Sequence, residues 1–290
     1  MIFHICNTPG WSNLSALKFR RSLGVFILTL AFTGLSAYPQ SQPATPTSAA
    51  VSDSPSQALA QARMSVERLF EQSAKVICTE TVTQIILDQQ GKPSYQENSL
   101  FNYRLQTDTT GKSLKFVESR ERLQAPFRDP NRTVLMTDGF GNMLLILHPA
   151  YDASYTFDAD GDEVIGGVNT LKFHFKPVPG APSPVMLQVR GQNYSVAIDG
   201  TVWIEPQSGN VVRLYASSSS GMSEFGVQSM SSEIQYLPTA FHRPEESYSM
   251  PASAVIDVQT AHRHWRNIHN FSAYKRFQTV TEAKDTVKDQ

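Results

Sequence analysis

Between residues 54 and 75 the apolar positions recur every three to four residues; from residue 76 onward they recur every two. Leu59, Ala62, Val66 and Leu69 form one stripe that Ser73 continues, with Arg63, Glu67 and Arg68 off it. This spacing predicts an amphipathic helix of about five turns ending near Lys75. Ser54 can cap its start, and Pro55 has the fixed φ that suits a first turn. Beyond the helix, 76–87 reads as a strand, broken by Gln89-Gln90-Gly91-Lys92-Pro93. Further strands follow at 95–107 and, after Gly111, at 113–120. The apolar run 143–148 before Pro149 fits a helix or a strand.

At 171–176 the alternation is clean: Leu171, Phe173 and Phe175 face one way, and Lys172, His174 and Lys176 the other. Residues 200–215, GTVWIEPQSGNVVRLY, read as a hairpin with strands 201–205 and 210–217. Pro206-Gln207-Ser208-Gly209 supplies its turn. Strict alternation puts Val212, Leu214 and Ala216 on one face, and Val211, Arg213 and Tyr215 on the other. The segment 227–236 alternates too, with Met230, Ile234 and Tyr236 on one side. Pro238, Pro244 and Pro251 punctuate the next stretch, and 255–259 and 265–277 close the chain. One helix followed by many strands on short Gly and Pro turns is not βαβ alternation, so parallel pairing is not expected. The predicted fold is mainly β (α+β): a large antiparallel sheet, curled by its own twist, that covers the N-terminal helix on its concave face.

The chain has 290 residues, and its first part reads differently. Lys18, Arg20 and Arg21 precede an uncharged apolar run at 22–35, with small residues at Gly34, Ser36 and Ala37. That order is the pattern of a secretory leader, 1–37, cleaved after Ser36 or Ala37. The run is shorter than the ~20 residues a spanning helix needs, so no transmembrane segment is expected after cleavage. Residues 38–56 are rich in Ser, Pro, Thr and Ala and read as a disordered linker. A single β-rich domain is expected over 57–280, with a flexible tail at 281–290. The implied location is periplasmic or secreted, in a bacterial cell envelope. Cys6 falls in the leader, which leaves Cys78 as a lone thiol, read as a small buried hydrophobe.

Charge narrows the function classes. With 25 basic and 26 acidic residues, a net charge of −1 and no basic block, no nucleic-acid partner is expected. Asp158-Ala159-Asp160-Gly161-Asp162-Glu163 lacks the Gly at position six and the Glu at position twelve of a calcium loop, and reads as a solvated acidic turn between strands. His262 and His264 on one strand would share a face about 7 Å apart. With His269 and no third ligand of assured spacing, they read as a polar strand face. The chain has no G-x-S-x-G, H-E-x-x-H, C-x-x-C or phosphate loop; Gly139-Phe140-Gly141 stands alone. No catalytic residue, metal or cofactor is therefore expected.

Two strand pairs carry a resemblance. They are YTFDADGDEVIGGVNTLKFHF (155–175), divided by Gly166-Gly167, and GTVWIEPQSGNVVRLY, in which a strand ending in an acid and a Pro turns back at a Gly. With the leader and the single helix before them, they resemble the LolA-like periplasmic lipoprotein-carrier proteins, in the broad outer-membrane lipoprotein-sorting sense. The resemblance implies an incomplete, strongly bent β-barrel that holds a lipid, an acyl chain or another apolar ligand between sheet and helices, without catalysis. One helix cannot fill so large a bent sheet, so an apolar cleft is expected. Its expected lining is Leu69 and Phe70 on the helix and Trp203, Val212 and Leu214 on the hairpin. The alternative is an envelope protein-interaction module that uses exposed strand edges or the Pro-containing segment 238–252.

Overall fold

The structure is a computed structural model that describes residues 2–6, 54–72, 75–108, 114–124, 134–189, 192–218, 222, 226–241 and 247–276. The apolar run of the expected leader, most of the 38–56 linker and the 281–290 tail lie outside the described residues.

The helix α1 spans Pro55–Gln72. The Ser54 carbonyl accepts from the amides of Gln57 and Ala58, and its hydroxyl accepts from Gln57 at 3.3 Å. Ala58, Ala62, Ser65, Val66, Leu69 and Phe70 form the buried face, close to the predicted stripe.

The strands are β1 (Ile2–Cys6), β2 (Lys75–Leu87), β3 (Pro93–Asp108), β4 (Lys115–Gln124), β5 (Val134–Asp138), β6 (Tyr155–Ile165), β7 (Val168–Pro177), β8 (Met186–Val189), β9 (Gln192–Ser195), β10 (Ile198–Ile204), β11 (Val211–Ser218), β12 (Val227–Ala240), β13 (Ser247–Thr260) and β14 (His264–Arg276). The ambiguous run at 143–148 belongs to a 3-10 helix, Asn142–Leu147; a second, Pro149–Ser154, follows.

Ten strands form one antiparallel sheet in the order β4-β3-β2-β14-β13-β12-β11-β10-β7-β6. A small second sheet, β5-β1-β8-β9, contains a parallel pair, β1 with β8, contrary to the purely antiparallel expectation. Its strand β1 falls within the stretch expected as leader.

The curl of the large sheet follows from what its edges touch. Flat, nine spacings of about 4.8 Å would hold β4 and β6 roughly 43 Å apart. Yet the Phe70 ring meets Phe116 of β4 at 5.2 Å, and the Arg63 guanidinium lies 5.9 Å from the ring of Phe157 on β6. Arg63 and Phe70 are separated by only about 10 Å of helix. The sheet therefore wraps around α1, and among the described residues its two edges do not pair, so the barrel stays open.

The hairpin β10–β11 is fastened to the helix. Gly209, at φ +72°, closes its turn, donating its amide to the Glu205 carbonyl at 2.9 Å. A Cβ at Gly209 would lie 2.5 Å from the Gln61 carbonyl carbon, so the turn rests directly on α1 backbone beside the fully buried Ala62.

Three expectations are corrected. The register steps from Trp203↔Arg213 to Ile204↔Val211, which leaves Val212 in a bulge. Val211 takes the buried inward place, and Val212 is only half-buried. The acidic stretch 158–163 lies inside β6, across a register irregularity, and the turn comes later at Gly166-Gly167. Pro238 and Pro251 sit within β12 and β13, opposite Ser249 and Tyr236, so most of 238–252 is paired strand. Pro251 is tolerated because it flanks a register shift.

Candidate functional site: a hollow beside the helix

The five residues expected to line one cleft do not share one. Val202 pairs with Leu214 and Trp203 with Arg213, so Trp203 and Leu214 point to opposite faces. Leu214 is fully buried in the core. The crevice nearby, between Met143, Ala216 and Met230, holds about 10 Å³, the limit for a single water. Trp203 lies on the outer face beneath Arg213, whose guanidinium is 3.9 Å from the ring centroid. Its Nε1 donates to Glu163 at 2.8 Å, and Glu163 also accepts from Arg213 at 3.2 Å. That is a packed surface clasp with no room for a ligand. Leu69 and Phe70 are buried on α1, and of the five only Phe70 borders a hollow of useful size.

That hollow has a volume of about 270 Å³ and is lined by Glu67, Phe70, Glu71, Thr107, Leu114 and His148. The helix contributes Glu67, Phe70 and Glu71 because positions three and four apart share a face. The Phe70 ring stands edge-on to Phe116 (5.2 Å) and His148 (5.3 Å), forming an apolar floor continuous with the core. His148 joins the two 3-10 helices, and its Nδ1 accepts from the Ala150 amide at 3.1 Å. Burial lowers its pKa, against the opposing pull of the Glu67 and Glu71 carboxylates. Tyr151 donates to the Leu114 carbonyl at 3.1 Å and anchors the far wall. In the sequence, Glu67 was visible as a charge off the apolar stripe, but nothing there marked Glu71, Thr107, Leu114 or His148 as its neighbours.

A second hollow of about 320 Å³ lies in the Pro-rich connection after β7, among Tyr155, Pro177, Pro179, Pro182 and Ser183. The Tyr155 and Ser183 hydroxyls bond across it at 3.1 Å, and burial pushes Tyr155 up to about 12.

The densest ionisable cluster was not legible in the sequence. Glu80, with no exposed surface, accepts from Arg120 Nε at 2.5 Å and Nη2 at 2.9 Å. Its other neighbour is His269 Nδ1 at 2.8 Å. Burial alone would raise the Glu80 pKa, but the hydrogen bonds from His269 and Arg120 outweigh it and hold the carboxyl below its ordinary value. His269 Nε2 meets the Thr137 hydroxyl at 2.7 Å, and Asn267 donates to that hydroxyl at 3.1 Å and to the Leu135 carbonyl at 2.8 Å. Glu118 accepts from the amides of Gly139 and Gly141. Burial, then the nearby Asp138 carboxylate, raises Glu118 to about 7.

The acid–His–hydroxyl order of Glu80, His269 and Thr137 matches that of a nucleophilic triad. Thr137 is 2 % exposed, however, and the adjoining crevice holds only about 10 Å³, which leaves no place for a substrate carbonyl. The cluster is a latch that fixes β5 against β2 and β14. His262 sits in the turn before β14, not on a strand, while His264 bonds Asp257 at 2.9 Å. Among the described residues no group of three side chains could hold a metal ion.

No family model matches the chain, and no curated protein matches it by sequence. Among solved structures, a putative outer-membrane lipoprotein-sorting protein domain from Vibrio parahaemolyticus aligns over 79 % of this chain and 94 % of its own, at 13 % identity and a TM-score of 0.40. A DUF1329 family protein from Desulfovibrio piger covers 79 % and 95 %, at 8 % identity and a TM-score of 0.41. A LolA superfamily protein from Nitrosomonas europaea covers 76 % and 94 %, at 8 % identity and a TM-score of 0.34. The chain is similar to LolA-superfamily and outer-membrane lipoprotein-sorting structures.

Proposed function

We propose that this chain is an exported, non-enzymatic binding protein of the bacterial periplasm that holds a lipid, acyl or other apolar ligand. The observation that carries the reading is the 270 Å³ hollow whose floor, Phe70 against Phe116, is continuous with the core. Burying apolar surface there is worth about 25 cal/mol per Å² before ordering costs. The expected leader supplies the route of export. No helix among the described residues is long and apolar enough to cross a membrane.

The test is native mass spectrometry of the chain expressed with its leader, exported and purified without detergent. A discrete added mass that extraction identifies as a lipid is expected, and Leu114→Trp, which fills the hollow, should remove it. A bare protein mass that persists after incubation with envelope lipids would overturn the reading. In that case the interaction module becomes the better account, because Val117 and Leu123 on the edge strand β4 are 42 % and 51 % exposed. An unpaired edge of that kind accepts an added strand from a protein partner.

A further inference from the structure

The hollow carries more charge than an acyl chain needs. Glu67 and Glu71 lie one turn apart on α1 and both line it. Neither makes a hydrogen bond or ion pair among the described residues. Two like charges at that spacing repel each other, and a cation placed between them would relieve the repulsion. His148 is 7 % exposed, and its Nδ1 is engaged by the Ala150 amide. The neutral ring therefore carries its proton on Nε2, a donor with no acceptor among the described residues. An apolar floor, two unpaired carboxylates and an imidazole donor beside them describe a head group with an ammonium and a nearby oxygen acceptor.

We propose that the hollow selects amphiphiles with a primary ammonium head, seated between Glu67 and Glu71, over neutral or anionic ones; this rests on the apolar-ligand reading above. At about 270 Å³ the space falls just below the range of drug-sized pockets. It takes a head and the first part of one chain, not a whole two-chain lipid. A fatty carboxylate would meet two like charges.

Isothermal titration of the full chain with dodecylammonium, dodecanol and dodecanoate, each below its micelle concentration, tests this. Dodecylammonium should bind about tenfold tighter than dodecanol, a difference of about 1.4 kcal/mol, with dodecanoate weakest. The double variant Glu67→Gln, Glu71→Gln should bring the ammonium to the level of the alcohol. Leu114→Trp, checked for folding by its thermal transition, should abolish all three. If ammonium and alcohol bind equally, head-group selection is overturned while the apolar site stands. If none of the three binds, the apolar-ligand reading falls and takes this inference with it. A tenfold preference that survives Leu114→Trp would place the selection elsewhere and overturn the assignment to this hollow.

Discussion

Glu118 and His269 titrate in opposite senses within one cluster, and that opposition shapes how stability responds to pH. Glu118 stands at about 7 in the folded chain against an ordinary 4.5, so folding takes up a proton between those values. Its contribution to stability is fully present below 4.5 and is lost as pH rises through 7. His269 is held below its ordinary 6.5 by burial, against the pull of Glu80, so its contribution is present above 6.5 and lost as pH falls through the lowered value. Glu118→Gln removes the first effect and leaves the second. Urea midpoints taken across this range should show the advantage of the native chain over the variant shrinking as pH rises from 4.5 toward and past 7. A constant difference would mean that Glu118 does not titrate there. None of this was legible from composition, because an Arg, two Glu and a His on strands read as outward-facing residues. Only the arrival of β5 over that face buries them, and β5 comes from a five-residue segment that carries too little pattern to stand out.

At the scale of elements, the chain announced its hairpins well and its bulges badly. Gly166-Gly167 and Pro206-Gln207-Ser208-Gly209 marked the turns between β6 and β7 and between β10 and β11, as the backbone confirms. The helix was legible because its apolar stripe and its Ser-Pro start agree. Alternation failed at Val212, since the extra residue there puts Val211 on the buried face while Leu214 and Ala216 keep the face predicted for them. The expected lining inherited that failure, and it also grouped Trp203 with Leu214, which the strand pairing puts on opposite faces. The short strands β1, β5, β8 and β9 passed unnoticed, none being longer than five residues. The hairpin's contact with α1 gives a sharp prediction. Gly209→Ala would combine a left-handed backbone with a Cβ 2.5 Å from helix backbone. A loss of at least about 1–3 kcal/mol in chemical denaturation is expected. A cost near zero would show that the turn does not rest on the helix.

For the whole molecule, one strand decides connectivity. Along the large sheet most neighbours are consecutive in the chain, whereas β2 and β14 pair from nearly opposite ends, Thr81 opposite Asn270. Strand β14 thus joins the block β4-β3-β2 to the block β13-β12-β11-β10-β7-β6. A chain ending at Arg263 is expected to lose its cooperative unfolding transition and its near-ultraviolet circular dichroism together. A truncated chain that still unfolds in one sharp step would refute this sheet order. Such distant pairing also places folding among the slower topologies, in the range of about milliseconds to seconds.

Cys78 lies on β2 within that seam, 2 % exposed, its thiol pushed up to about 12 by burial. A thiolate so scarce and so enclosed is inert toward oxidants and alkylating reagents while the sheet stays shut. The protein therefore contains its own clock: each chain that a reagent marks at Cys78 is one whose central seam has come apart, so the rate of marking counts the openings.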